Sequence, residues 1–254
     1  MIKRELKILL TAIMFYTRIP VGNINGYSNE MLNRATRYFP FVGYIVGGLG
    51  ALVFTGFNQI ANQQIAVVAA FIIMVLITGA FHEDALADFC DGFGGGYTPG
   101  KVLSIMKDSR IGTYGAMGLI LLFLFKYVLF ISMDAALLPI WLILAHVFSR
   151  FLVVVLIFTS TYVRDAEGSK SKPVGQKNTT VTFLIALIWI GPLFCFFEPI
   201  SLVVILLIQT ILFVCFRFYV KKRIGGYTGD VLGALQQLSE TLFFVLFYIY
   251  NAMI

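Results

Sequence analysis

Apolar residues along this chain run in long uninterrupted blocks rather than in the short alternations of strands or the three-in-seven stripes of soluble helices. Blocks at 39–57, 65–81, 115–133, 135–163, 180–197, 199–216 and 238–254 each approach or exceed the ~17 residues that a tilted or short membrane helix needs. The pattern predicts an all-α, polytopic integral membrane bundle of about seven spans. A shorter apolar segment, Leu6–Tyr16, has Lys3, Arg4 and Lys7 before it and Arg18 after it, which predicts a short interfacial or re-entrant helix. No small-residue cleavage site follows it, so it does not read as a cleaved signal peptide.

Composition agrees. Of the 254 residues, 59% are hydrophobic and 13% charged, against roughly a quarter charged in a soluble domain. The basic residues test the span map, because they should collect in cytoplasmic connections. Of 19, 17 lie in the segment up to Arg37, in 101–110, in 164–177 or in 217–223, which the map puts on one side. The opposite connections, around Asn58–Gln64, Asp134 and Glu198–Pro199, hold none. The N-terminus and the loops on its side are therefore expected in the cytoplasm, and the C-terminus outside. This asymmetry and attraction to anionic lipid account for the net charge of +6 without a nucleic-acid surface. Cys90, Cys195 and Cys215 show no paired spacing. With no soluble insert and one extended polar loop, Arg164–Asn178, the chain reads as a single integral domain over 1–254.

Candidate chemistry concentrates in His82-Glu83-Asp84-Ala85-Leu86-Ala87-Asp88-Phe89-Cys90-Asp91, at the end of an apolar block. In a helix, Asp84, Asp88 and Asp91 fall at i, i+4 and i+7 on one stripe, with Glu83 about a quarter-turn away. Like charges so placed repel, and a cation between them is expected. Mg²⁺ suits the set, since it takes a few carboxylates together with substrate phosphate. Asp230, in Gly225-Gly226-Tyr227-Thr228-Gly229-Asp230 on the same side, is a fourth metal candidate. Gly92–Tyr97 is expected to end the helix. The string Lys107-Asp108-Ser109-Arg110-Ile111-Gly112-Thr113-Tyr114-Gly115 supplies an ammonium, a hydroxyl, a guanidinium fork and glycines that let backbone N–H groups approach phosphate. If Gly112–Gly115 opens the next span, its N-terminus adds partial positive charge there. Lys107, Ser109, Arg110 and Gly112 are thus the substrate-binding candidates. Arg18 and Arg37 lie where an anionic substrate would arrive, though lipid contact explains them equally, and Arg18 joins the candidates. His82 reads as a hydrogen-bonded boundary residue, Glu83 as solvated or paired with a base, and Cys90 as packing. Lys126, His146 and Arg150 sit within spans, where lining a polar cavity competes with snorkelling or a structural hydrogen bond.

These motifs, together with Phe15-Tyr16-Thr17-Arg18-Ile19-Pro20-Val21, Phe39-Pro40-Phe41-Val42-Gly43 and Gly225–Ala234 with Glu240, resemble the signature of the cobalamin synthase (adenosylcobinamide-GDP ribazoletransferase) family, in order and across the chain. The family commonly has leucine where Glu83 stands and often glycine where Ala85 stands, so Glu83 is not carried over. The resemblance implies an enzyme of late corrinoid assembly in the cell membrane. It would join adenosylcobinamide-GDP to α-ribazole or its 5′-phosphate, with magnesium and release of GMP. In that scheme the ribazole 3′-hydroxyl attacks the phosphorus on the cobinamide arm, carboxylates hold one or two Mg²⁺ ions, and Asp88 or Asp91 takes the hydroxyl proton. Two alternatives come from other patterns. CDP-alcohol phosphotransferases place spaced aspartates on membrane helices, but their order is not found here. An ion-coupled transporter would suit the intramembrane charges, but the matched half-repeats it favours are absent.

Overall fold

The computed structural model describes residues 2–24, 26–163 and 179–253; the polar loop 164–178 lies outside them. The chain runs as α1 (Ile2–Tyr16), α2 (Asn29–Ala35), a 3₁₀ turn at Thr36–Tyr38, α3 (Phe39–Ile60), α4 (Gln63–Thr78), α5 (Phe81–Gly95), α6 (Pro99–Ile105), α7 (Thr113–Ile131), α8 (Leu138–Thr159), α9 (Thr180–Trp189), a 3₁₀ turn at Gly191–Cys195, α10 (Pro199–Ile224) and α11 (Gly229–Met253). Among the described residues, five helical segments are long and apolar enough to cross a membrane, or six if α4 and α5 count as one bent span. The expected seven are not reached. Block 180–197 fails because Gly191-Pro192 interrupts it, leaving a ten-residue helix and a 3₁₀ turn.

Helix α8 is the axis of the bundle, with 83% of its apolar window buried, against 22% in α7 and 17% in α10, whose outer faces are left for lipid. Its partner α3 approaches closely because two of its residues lack side chains. A Cβ on Gly43 would sit 2.6 Å from the His146 carbonyl oxygen, and one on Gly47 2.7 Å from Ile143 Cα. Helix α1, too short to span, buries Ile8, Ala12 and Tyr16 and exposes Lys3, Arg4 and Lys7. Its Glu5 accepts from Arg37 Nη1 at 3.2 Å and from the Tyr38 hydroxyl at 3.0 Å.

The feature that places the chemistry is a corner. Gly79 (φ 65°) and Ala80 (φ 57°) both adopt the left-handed conformation, ending α4 and turning α5 by 87°. The Gly79 and Ala80 amides close the last turn of α4 onto the Leu76 and Val75 carbonyls, as in a Schellman cap. Arg18 packs on the corner: its amide donates to the Ile77 carbonyl at 2.7 Å, and a Cβ on Gly79 would lie 2.3 Å from its Nε. The acidic motif therefore occupies a separate helix set across α4, not the tail of a straight span.

Candidate active site

Within α5 the expected stripe forms: Asp84 is exposed, Asp88 half-buried and Asp91 buried. The glycine run does not break it, for the helix continues to Gly95. Packing overrides weak propensity here. A Cβ on Gly92 would meet Met106 Cγ at 2.4 Å, and one on Gly94 would meet the Tyr114 ring at 2.7 Å, so bare backbone lets α6 and α7 close onto α5. Arg223 of α10 then caps the helix, its Nη2 donating to the Phe93 and Gly96 carbonyls at 3.1 and 2.6 Å. A guanidinium at a helix C-terminus complements the dipole; nothing local in the sequence marked Arg223 for this.

Asp91 reaches across to the basic loop. Its carboxylate accepts from the Gly112 amide at 2.7 Å and the Gly115 amide at 2.9 Å. Gly112 stands at the N-cap of α7 and offers no side chain, so Asp91 supplies the cap across space and places negative charge at the helix N-terminus. A Cβ on either glycine would come to 2.4 Å from an Asp91 oxygen, and one on Gly115 would also meet the Ala87 carbonyl oxygen at 2.8 Å. Two of the amides expected to cradle phosphate are thus turned to a protein carboxylate. Among the described residues no three His, Cys, Asp or Glu side chains converge as a metal cage.

The basic loop beside Asp91 is exposed at Lys107, Ser109, Arg110 and Gly112. Asp108 grips Arg110, with Nη2 to Oδ2 at 2.7 Å and Nε to Oδ1 at 3.1 Å, and also accepts the Arg110 amide at 3.1 Å. The Arg110 hydrogen bonds hold the Asp108 carboxyl down at about 2. Asp108 shapes the loop by clamping its neighbour.

Helix α11 lies against the other side of α5. Gln237 Nε2 donates to Glu83 at 3.0 Å, and Gly233 abuts Ala85 and His82. Asp230 stands in the first turn of α11 and accepts from the Thr228 hydroxyl at 3.5 Å. Glu83 is thus paired with an amide rather than solvated. His82 is buried and not a boundary residue, stacked on Phe39 at 5.8 Å with Nε2 lacking a partner among the described residues. The structure thus sets Asp84, Asp88 and Asp91 along one face of α5, with Arg18 at its corner end and Gly112 of the basic loop at its far end, and Asp230 at the start of α11. Cys90 packs toward Gly118 of α7.

The intramembrane cations do not snorkel. Lys126 Nζ donates to Gln237 Oε1 and Glu240 Oε1, both at 2.7 Å. Glu240 Oε2 lies 2.8 Å from His146 Nδ1, which lies 2.8 Å from Arg150 Nη1; that nitrogen serves one partner as donor or the other as acceptor, not both. Lys126, His146, Arg150 and Glu240 are each at most 5% exposed. Glu240 is the hub that ties α11 to α7 and α8, a role no local spacing announced.

Comparison with known proteins places this arrangement. A family model described as cobalamin-5-phosphate synthase matches residues 8–248. Relatives named adenosylcobinamide-GDP ribazoletransferase include one from Vibrio parahaemolyticus, 42% identical over 246 residues covering 96% of this chain and 92% of that one. Others from Vibrio cholerae (41% over 251 residues; 96% and 94% covered) and Shewanella baltica (41% over 257 residues; 98% and 96%) carry the same name. No solved structure matches. With nearly its whole length matched, the chain belongs to the cobalamin-5-phosphate synthase family.

Proposed function

We propose that this chain is the membrane transferase that joins adenosylcobinamide-GDP to α-ribazole or its 5′-phosphate and releases GMP, acting from the cytoplasmic side of the cell membrane. The observation that carries the reading is the match over residues 8–248 and to relatives of that name. It displaces the lipid phosphotransferase and transporter alternatives. The ribazole 3′-oxygen forms a bond to the phosphorus on the cobinamide arm, and the phosphoanhydride bond to GMP breaks. Asp88, half-buried on the stripe, takes the hydroxyl proton. Lys107 and Arg110 balance charge on the diphosphate, and Arg18 meets the anionic substrate at the corner end.

Magnesium fits the carboxylates in one specific way. Because no three acidic or other ligating side chains converge among the described residues, they form no all-protein cage there. The α5 face offers one or two carboxylates, Asp84 and Asp88, and such an open set suits an ion whose other ligands are water and substrate phosphate; Asp230 is a further candidate ligand from α11. Bound there, Mg²⁺ would neutralise the diphosphate and stabilise the leaving oxygen. Asp91, with two amides already on its carboxylate, orients the Lys107–Gly115 loop instead.

The test is GMP release by the purified chain in detergent with Mg²⁺. Release from adenosylcobinamide-GDP that requires α-ribazole is expected; folded protein that yields no GMP with both substrates present would remove the proposal.

A further inference from the structure

A second polar site lies between the ends of α8 and α10 and the loop that enters α11. It is a cavity of about 70 Å³ walled by Thr159, Ser160, Thr161, Arg217, Lys221 and Gly226, among others. A single buried water needs roughly 10–15 Å³ of such space, so the cavity admits a phosphoryl-sized group. Arg217 and Lys221 stand four apart on α10, a spacing at which like charges repel. No lining residue is acidic.

The site is built rather than incidental. Arg217 Nε donates to Ser160 Oγ at 3.0 Å and Nη2 to the Thr159 carbonyl at 2.7 Å. These bonds fix the guanidinium plane and leave Nη1 without a partner among the described residues. The lining loop is pinned by the Tyr227 amide to the Thr161 carbonyl at 2.9 Å and by the Val163 amide to the Tyr227 carbonyl at 3.0 Å. Backbone forms one wall, since a Cβ on Gly226 would fall 2.1 Å from the Thr161 oxygen. Just outside, Val214 and Phe218 expose apolar surface on α10, at 55% and 70%, so the cations sit where a lipid-facing flank meets a polar hollow.

We propose that this cavity binds a phosphate group, held by the oriented Arg217 fork, the Lys221 ammonium and the Ser160 hydroxyl. A fixed guanidinium beside a mobile ammonium suits a tetrahedral oxyanion. The phosphate can come from a phospholipid headgroup on the lipid side or from a free phosphate on the aqueous side. The inference does not depend on the transferase reading.

The full chain in phosphatidylcholine nanodiscs separates the sources. Inorganic phosphate is titrated by calorimetry, and phosphatidylglycerol retention is read by native mass spectrometry after doping the bilayer. Binding of at least one probe is expected. Lys221→Gln, which removes no hydrogen bond seen among the described residues, should weaken it at least about tenfold, the worth of one charge-assisted bond. Lys222→Gln, adjacent but outside the lining, should change it by less than about threefold, as for an exposed charge. Arg217→Gln should weaken it at least as much, and Lys221→Gln keeps the test open if that variant fails to fold. Absence of binding by both probes, or equal losses in Lys221→Gln and Lys222→Gln, would overturn the assignment.

Discussion

Replacing Asp91 by asparagine isolates the cap that joins the acidic helix to the basic loop. The native carboxylate accepts two amides, at 2.7 and 2.9 Å, in a site only 8% exposed. An asparagine keeps one oxygen acceptor and turns its NH₂ toward the other amide, so one charge-assisted bond is lost. Such a bond contributes about 1.5–3 kcal/mol, and the charge at the helix N-terminus a further ~0.3–1 kcal/mol. The expected destabilisation is about 2–4 kcal/mol. At roughly 2–4 °C per kcal/mol for a chain of this size, the thermal midpoint falls by about 4–16 °C. Circular dichroism in detergent measures this, and activity per folded molecule should fall with a raised KM for adenosylcobinamide-GDP, because Lys107 and Arg110 lose their anchor. A wild-type midpoint would mean that the cap is not made, and would return Asp91 to the metal and proton-transfer candidates.

Other perturbations test neighbouring claims. Gly115→Ala inserts a methyl 2.4 Å from Asp91 Oδ2 and 2.8 Å from the Ala87 carbonyl; overpacking of about 1–3 kcal/mol is expected, and an unchanged unfolding midpoint would deny the close approach of α7 to α5. Glu240→Leu strips the shared partner from Lys126 and His146, at a cost of about 3–5 kcal/mol for an uncompensated buried charge, read as loss of monodisperse protein on size exclusion; wild-type yield and midpoint would contradict the hub. Asp108 has a depressed pKa, so its clamp on Arg110 is present above the ordinary carboxylate range and is lost only as pH falls through about 2. Asp108→Asn should therefore leave the acid limb of the pH–rate profile above pH ~4 in place, and a displaced limb would assign that titration to Asp108.

What the sequence made legible was local and periodic. The spacing of Asp84, Asp88 and Asp91 gave their common stripe once the segment proved helical, and apolar length located α3, α7, α8, α10 and α11 to within a few residues at most ends. Propensity misled at Gly92–Gly96, where those glycines serve helix contacts with α6 and α7 rather than a break. Length misled at 180–197, which hides the Gly191-Pro192 interruption, and at 65–81, where the turn at Gly79-Ala80 is set by two left-handed residues and Arg18. The remaining features are long-range. Asp91 meets Gly112 across 21 residues, Lys126 meets Glu240 across 114, and Arg223 meets Phe93 across 130. Spacing along one helix cannot announce such partners, although the cost of burying Lys126 and Arg150 in hydrocarbon did signal that partners were needed.

The central claim is that Asp84 and Asp88 hold the divalent ion while Asp91 organises the loop. Mn²⁺, as a Mg²⁺ substitute visible to electron paramagnetic resonance, tests it directly on the purified chain in the presence of adenosylcobinamide-GDP. Asp84→Asn and Asp88→Asn should each weaken Mn²⁺ binding at least about tenfold, while folded Asp91→Asn binds close to wild type. Undiminished binding in both Asp84→Asn and Asp88→Asn, with loss confined to Asp91→Asn, would contradict it.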